Sequence, residues 1–145
     1  VKSLSNPANK MSKSESDANG TVELLDPRDV VIRKFKKAVT DSEAVVRYAD
    51  GKDGINNLMN IYSAITGKTF AEIEREFDGK GYGDFKLAVG ETVADLLAPI
   101  QERFNTIRSD KAEMERIYRD GAEKARYIAN KTLRKVYKKV GLIEK

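Results

Sequence analysis

Two lysines and two serines at residues 10–14 are the part of this sequence whose spacing most clearly suggests chemistry. The run reads Lys10-Met11-Ser12-Lys13-Ser14 and lies in a stretch rich in Ser, Asn and Gly that favours a mobile loop. It contains no glycine, so it is not a Walker-type phosphate loop. Two ammonium groups three residues apart, with hydroxyls beside them, suit a polyanion that is held briefly and then released. These residues predict an anion-binding loop without specifying the anion.

Composition excludes several other kinds of chemistry. The chain has 145 residues, of which 40% are hydrophobic and 34% are charged, as expected for one ordinary globular core or two small ones. It has no cysteine and no histidine, which excludes a disulfide framework, a Ser-His-Asp triad and a zinc site with thiolate or imidazole ligands. No apolar run approaches the length of a membrane span, and the first residues lack a signal peptide pattern. We therefore expect a cytoplasmic protein that has no membrane partner.

Positive charge is concentrated in the last third of the chain. Residues 101–145 contain 13 Lys or Arg and 7 Asp or Glu, although the whole chain has a net charge of only +4. Such a surface could contact phosphate backbones, with Lys131 and Lys135 as candidates. A helix face that is simply solvated explains the same charges.

Hydrophobic spacing predicts a mainly α protein, a bundle of five to six helices preceded by an extended loop and one possible short strand at residues 21–25. We expect two parts, residues 1–25 with the loop and residues 26–145 as a helical domain. The predicted helices span residues 26–40, 54–66, 69–77, 84–107, 110–118 and 120–140.

Local signals set the boundaries of these helices. Gly67 and Gly141 are stop signals, and Thr69 begins a capping box. Pro99 should kink or break the long helix near residue 98. Asp120 should cap the last helix, whose predicted core stripe consists of Ala122, Ala125, Ala129, Leu133, Val136 and Val140. The glycines at 79, 81 and 83 predict a tight turn rather than an anion nest.

Taken together, the motifs resemble the bacterial-type tryptophanyl-tRNA synthetases, which are class I aminoacyl-tRNA synthetases. The Lys-Met-Ser-Lys-Ser (KMSKS) signature is joined by further blocks in the order of that family, and they cover nearly the whole chain. These blocks are residues 38–42 (AVTDS), 46–48 (VRY), 56–58 (NNL), 61–63 (IYS), 77–86 (FDGKGYGDFK), 99–103 (PIQER), 121–126 (GAEKAR) and 141–142 (GL).

The resemblance implies that the chain is the C-terminal part of such an enzyme. The family has a Rossmann-like catalytic domain with a histidine-containing motif upstream of the KMSKS loop, and this chain has no histidine. Residues 1–25 would then be the KMSKS loop and the last piece of the catalytic domain, and residues 26–145 the helical domain of the anticodon-binding type. The parent protein would be an ATP-dependent tryptophan-tRNA ligase, and we expect the fragment alone to be inactive.

The resemblance also implies roles for the loop residues. Lys10 and Lys13 would contact the triphosphate of ATP and neutralise the departing pyrophosphate. Ser12 and Ser14 would donate hydrogen bonds to phosphate oxygens or fix the loop, and Met11 would anchor it in an apolar groove. ATP and Mg²⁺ would form the substrate complex of the full-length enzyme, and none is expected on the fragment. No protein side chain is assigned as a metal ligand.

Transfer RNA is the other partner that the resemblance implies, specifically tRNA(Trp). Besides the two lysines of the basic helix, the candidates for contact with it are Arg47, Tyr48, Lys80 and Tyr82. Packing explains Tyr82 at least as well, and Lys80 could be a solvated loop cation. ATP and tryptophan would bind through the missing catalytic domain, and the full-length protein would be a homodimer. A stand-alone helical module that binds RNA or another protein, without catalysis, is the alternative.

Overall fold

Five α-helices form the architecture of this computed structural model, which describes residues 1–14 and 16–143. They are α1 (Arg28–Lys37), α2 (Asp53–Thr66), α3 (Phe70–Glu76), α4 (Tyr82–Ser109) and α5 (Lys111–Val140). The expected mainly α fold is confirmed. Residue 15 of the predicted loop part and residues 144 and 145 of the predicted helical domain lie outside the described residues.

Residues 21–25 do not form the possible short strand. Over the described residues the only β pairing is an isolated antiparallel bridge between Lys2 and Lys10. The segment turns instead, because the Asp26 carboxylate accepts a hydrogen bond from the Glu23 amide at 2.9 Å. That carboxylate also accepts one from Lys34 Nζ at 2.7 Å. Asp26 therefore does not cap α1, which begins after Pro27.

Short-range signals predict the middle helices well. α2 ends at Gly67, whose φ of 74° is left-handed, a conformation that glycine adopts at little cost. Thr69 and Glu72 form the predicted capping box at the start of α3. Gly79 also has a positive φ, 71°, in the turn that leads to α4.

The ends of the two long helices differ from the prediction. α4 continues through Pro99 without a break. Because Pro99 is exposed, water can hydrate the carbonyl that proline leaves without a partner. Asp120 is not a cap but lies inside α5, where its carboxylate is 3.0 Å from Arg116. Asp110 caps α5 instead, by accepting a hydrogen bond from the Glu113 amide at 3.0 Å.

The chain divides into two compact units, Val1–Gln101 and the residues from Glu102 onward. The first unit holds the hydrophobic core, in which Phe35, Ile55, Ile73 and Phe85 are fully buried. In α5, every residue of which is described, no side chain is buried. The predicted core stripe of that helix is therefore wrong: the spacing defines an apolar face, and Val136 is 46% exposed. Among the described residues, no helix is long and apolar enough to cross a membrane.

Candidate nucleotide and RNA site

The KMSKS loop is held by hydrogen bonds to residues that lie before and after it in the chain. The bridge between Lys2 and Lys10 pairs the start of the loop with the first residues. The Met11 amide donates to the Val1 carbonyl at 3.3 Å. Farther along, Thr21 Oγ1 donates to the Ser12 carbonyl at 2.9 Å. The loop is thus attached at both ends.

Asn57 of α2 supports this attachment and was not among the predicted site residues. Its side chain is buried and binds the main chain of Lys2 twice. The Lys2 amide donates to Asn57 Oδ1 at 2.8 Å, and Asn57 Nδ2 donates to the Lys2 carbonyl at 3.0 Å. The polar atoms of a buried amide need hydrogen-bond partners. These two bonds hold the backbone of Lys2, which bridges to Lys10. The signal in the sequence that could have indicated this role is an asparagine on the apolar face of a helix.

The side chains of the loop separate into an apolar anchor and a polar surface. Met11 is partly buried against the core and lines an apolar groove of about 450 Å³ together with Val22, Phe35 and Leu97. The role of Met11 as the anchor of the loop stays a prediction.

Both lysines of the loop face solvent. Lys10 and Lys13 are exposed, as are Ser12 and Ser14, whose hydroxyls lie 2.9 Å apart. Two exposed ammonium groups and two hydroxyls on one short loop can meet several phosphate oxygens at once.

The predicted RNA-binding residues fall at separate places. Arg47 and Lys80 line one groove of about 780 Å³, between residues 44–47 and the end of α3 with the glycine turn. Tyr48 is stacked on Phe70, with ring centroids 4.1 Å apart. Lys131 and Lys135 are exposed on α5 in the second unit, where Lys131 lines a cleft with Tyr127, Asn130 and Arg134.

Tyr82 belongs to a buried polar network. Its hydroxyl donates to Asp41 Oδ1 at 2.6 Å and accepts from Lys52 Nζ at 3.0 Å. Lys52 is only 4% exposed, and its ammonium also lies 2.8 Å from Glu43. A base could reach the ring of Tyr82 only if this network opened.

The network shifts the pKa values of its members. Burial opposes the charge of Asp41, but hydrogen bonds from Tyr82, the Glu43 amide and Lys52 outweigh it and lower the pKa of Asp41 to about 2. Burial likewise opposes the charge of Lys52, and its bonds to Glu43, Tyr82 and Asp41 nevertheless raise its pKa. Burial, together with the hydrogen bond to Asp41, raises the pKa of Tyr82. Both members of the ion pair are therefore charged at neutral pH.

The network also holds an unfavourable backbone conformation. Ala44 has a φ of 59°, which costs a residue with a side chain on the order of 1–3 kcal/mol. Asp41 and Glu43, the residues just before it, are bound by Lys52. The segment that forms one wall of the 780 Å³ groove is thus fixed by a buried cation.

Comparison with known proteins places these features in a family. A family model described as tRNA synthetases class I (W and Y) matches residues 1–98. The tryptophan–tRNA ligase of Clostridium perfringens is 46% identical over 143 residues, which are 99% of this chain and 43% of that protein. The tryptophan–tRNA ligase of Wolinella succinogenes is also 46% identical, over 99% of this chain and 44% of its own length.

Solved structures agree with the sequence relatives. The tryptophanyl-tRNA synthetase from Mycoplasma pneumoniae superposes with a TM-score of 0.77 at 30% identity, over 97% of this chain and 43% of its own. The enzyme from Campylobacter jejuni, in complex with ADP and tryptophan, gives a TM-score of 0.73 at 26% identity, over 98% of this chain and 44% of its own. The chain therefore spans less than half the length of the relatives it matches.

Proposed function

Because this chain belongs to the class I tRNA synthetases for tryptophan and tyrosine, we propose that it is part of a tryptophan-tRNA ligase and supplies its ATP-phosphate loop. The observation that supports this most directly is the KMSKS loop, with both lysines exposed and Met11 seated in an apolar groove. The curated relatives match 98–99% of the chain within longer ligases, so the alternative of a stand-alone module is not favoured.

In the proposed reaction the tryptophan carboxylate attacks the α-phosphate of ATP, and pyrophosphate leaves. The residues of this chain form no covalent intermediate. Lys10 and Lys13 bind the phosphates and offset the negative charge that grows on pyrophosphate, which lowers the barrier by electrostatic stabilisation. Ser12 and Ser14 donate hydrogen bonds to phosphate oxygens. Mg²⁺ arrives with ATP as part of the substrate and is held mainly by phosphates and water.

We also propose that this chain contacts tRNA(Trp). Arg47, Lys80 and the lysines of α5, Lys131 and Lys135, are exposed cations that suit phosphates, and Tyr48 presents an exposed ring. Tryptophan-binding and ATP-binding residues outside this chain would complete the enzyme, which we propose acts in the cytoplasm as a homodimer.

Substitution of one loop lysine tests the catalytic half. In the whole ligase, Lys13→Ala should lower the rate of ATP–pyrophosphate exchange by roughly 100-fold or more, the scale seen when one transition-state donor is removed. Tryptophan binding, measured by calorimetry, should change little. Lys36→Ala removes another exposed charge, from α1, and serves as the matched control. An exchange rate that is equal in both variants would reject the role of the loop.

A further inference from the structure

Tyr48 and Phe70 form an aromatic platform at the surface. Their rings are nearly parallel, 6° apart in orientation, with centroids separated by 4.1 Å. Phe70 covers one face of the tyrosine ring, yet Tyr48 remains 42% exposed. The face opposite Phe70 is the one on which a third flat ring could continue the stack.

This platform is held in place before any ligand binds. The Tyr48 amide donates to Glu74 Oε1 at 2.9 Å, which ties the segment to α3. On its other side the segment is bound through Asp41 and Glu43 to the buried ammonium of Lys52. An aromatic surface that is already ordered loses little conformational entropy on binding.

A groove with cationic side chains borders the platform. Arg47, which precedes Tyr48, lines it together with Arg75 and Lys80. Lys80 Nζ lies 5.1 Å from the centre of the Phe77 ring, which lines the same groove. Of the two acidic residues in the lining, Glu74 is already engaged by the Tyr48 amide. Cations beside a ring match a nucleotide, with its phosphate next to a flat base.

We propose that Tyr48 stacks on an unpaired base of an RNA strand, and that Arg47, Arg75 and Lys80 hold the adjoining phosphates. This inference rests on the proposed binding of tRNA and names the surface that takes a single-stranded nucleotide. Stacking accepts any base, so the platform contributes affinity and leaves the choice of base to other contacts. The groove volume of about 780 Å³ is in the range of sites that take small ligands.

Anisotropy titration of a fluorescein-labelled, unstructured RNA 12-mer with the 145-residue chain tests the platform. Tyr48→Ala should weaken binding by roughly tenfold, within the range measured for one base–aromatic stack. Tyr48→Phe keeps the ring and should bind within about twofold of the original chain, given that the stack needs no hydroxyl. Tyr118→Ala removes another exposed tyrosine, 65% exposed on α5, and is the matched control.

The salt dependence of RNA binding distinguishes stacking on Tyr48 from contacts between cations and phosphates. Tyr48→Ala should leave the slope of log K against log salt unchanged, because the ring neutralises no phosphate. Arg47→Ala should reduce that slope by roughly one phosphate contact. Thermal unfolding by circular dichroism confirms that each variant is folded.

Each outcome addresses a different claim. If the original chain binds the 12-mer and Tyr48→Ala binds equally well, or if Tyr48→Phe is as weak as Tyr48→Ala, the platform is wrong and the proposed function is untouched. If the original chain binds neither the 12-mer nor tRNA(Trp) at low salt, the RNA half of the proposed function fails as well. The ATP–pyrophosphate exchange assay in the whole ligase then tests the proposed catalytic role of the KMSKS loop independently of RNA binding.

Discussion

Replacement of Lys52 by methionine is expected to destabilise the first unit strongly. The ammonium is 3.0 Å from Asp41 and 2.8 Å from Glu43, and the lysine side chain is 4% exposed. Lys52→Met keeps most of the side-chain volume and removes the charge. It leaves the Asp41 carboxylate, whose Oδ2 is buried without a hydrogen-bond partner among the described residues, with two neutral donors, the Tyr82 hydroxyl and the Glu43 amide.

The magnitude follows from the burial of the partners. Breaking a fully buried ion pair costs about 3–5 kcal/mol. Asp41 is 23% exposed and Glu43 is 59% exposed, so water recovers part of that cost. We therefore expect a loss of about 2–3 kcal/mol in the free energy of unfolding. With a urea m-value of about 2 kcal/mol/M, the midpoint should fall by about 1–1.5 M.

Urea titration followed by near-ultraviolet circular dichroism measures this loss in the relevant unit. The buried aromatic side chains of the described residues all belong to that unit. Lys68→Met is the matched control. Its ion pair with Glu76 is equally short, 2.7 Å, but the two side chains are 42% and 33% exposed, so the cost should stay below about 1 kcal/mol. Equal midpoint shifts in the two variants would refute the reasoning from burial.

Three further predictions concern a glycine, an amide and a carboxylate. Gly54→Ala would drive a Cβ into the backbone carbonyl oxygen of Val39 and should lower the free energy of unfolding, measured by chemical denaturation, by about 3 kcal/mol. Gly83→Ala meets nothing within 4 Å and should be neutral or slightly stabilising. Asn57→Ala should speed amide hydrogen exchange in residues 1–11, whereas unchanged protection would contradict its positioning role. Because the pKa of Asp41 is lowered from 3.8 to about 2, its contribution to stability is present above about pH 4 and is lost as the pH falls towards 2. Urea midpoints from pH 5 to pH 2 check that loss, which Asp41→Asn should abolish.

Local sequence signals predicted the features that depend on a few neighbouring residues. The capping box at Thr69 and the left-handed stops at Gly67 and Gly141 are confirmed, because each requires only backbone groups within one or two turns. The same kind of signal was wrong about a cap at Asp120 and about a break at Pro99, through which α4 continues. Inside an exposed helix, an acidic residue can pair with an arginine one turn away, and water can replace one hydrogen bond.

Hydrophobic periodicity predicted helix faces but not their partners. The apolar stripe of α5 has the spacing of a core face, yet Leu133 is 44% exposed and Val140 is 61% exposed. Periodicity reports only which side chains share one side of a helix. Whether another element covers that side is set by the rest of the fold.

By itself, the sequence determined the KMSKS loop, the mainly α class and the family, because these follow from residue types and their order. Tertiary structure alone decided which distant residues act together. It joined Asn57 to Lys2, 55 positions apart, and brought Arg47 and Lys80 to one groove. It also buried Tyr82 in a hydrogen-bond network with Lys52. Such contacts depend on how helices pack, and neither local propensity nor spacing encodes that arrangement. The role of the lysines of residues 10–14 is thus a prediction from the sequence, whereas the contacts that support their loop come from the fold.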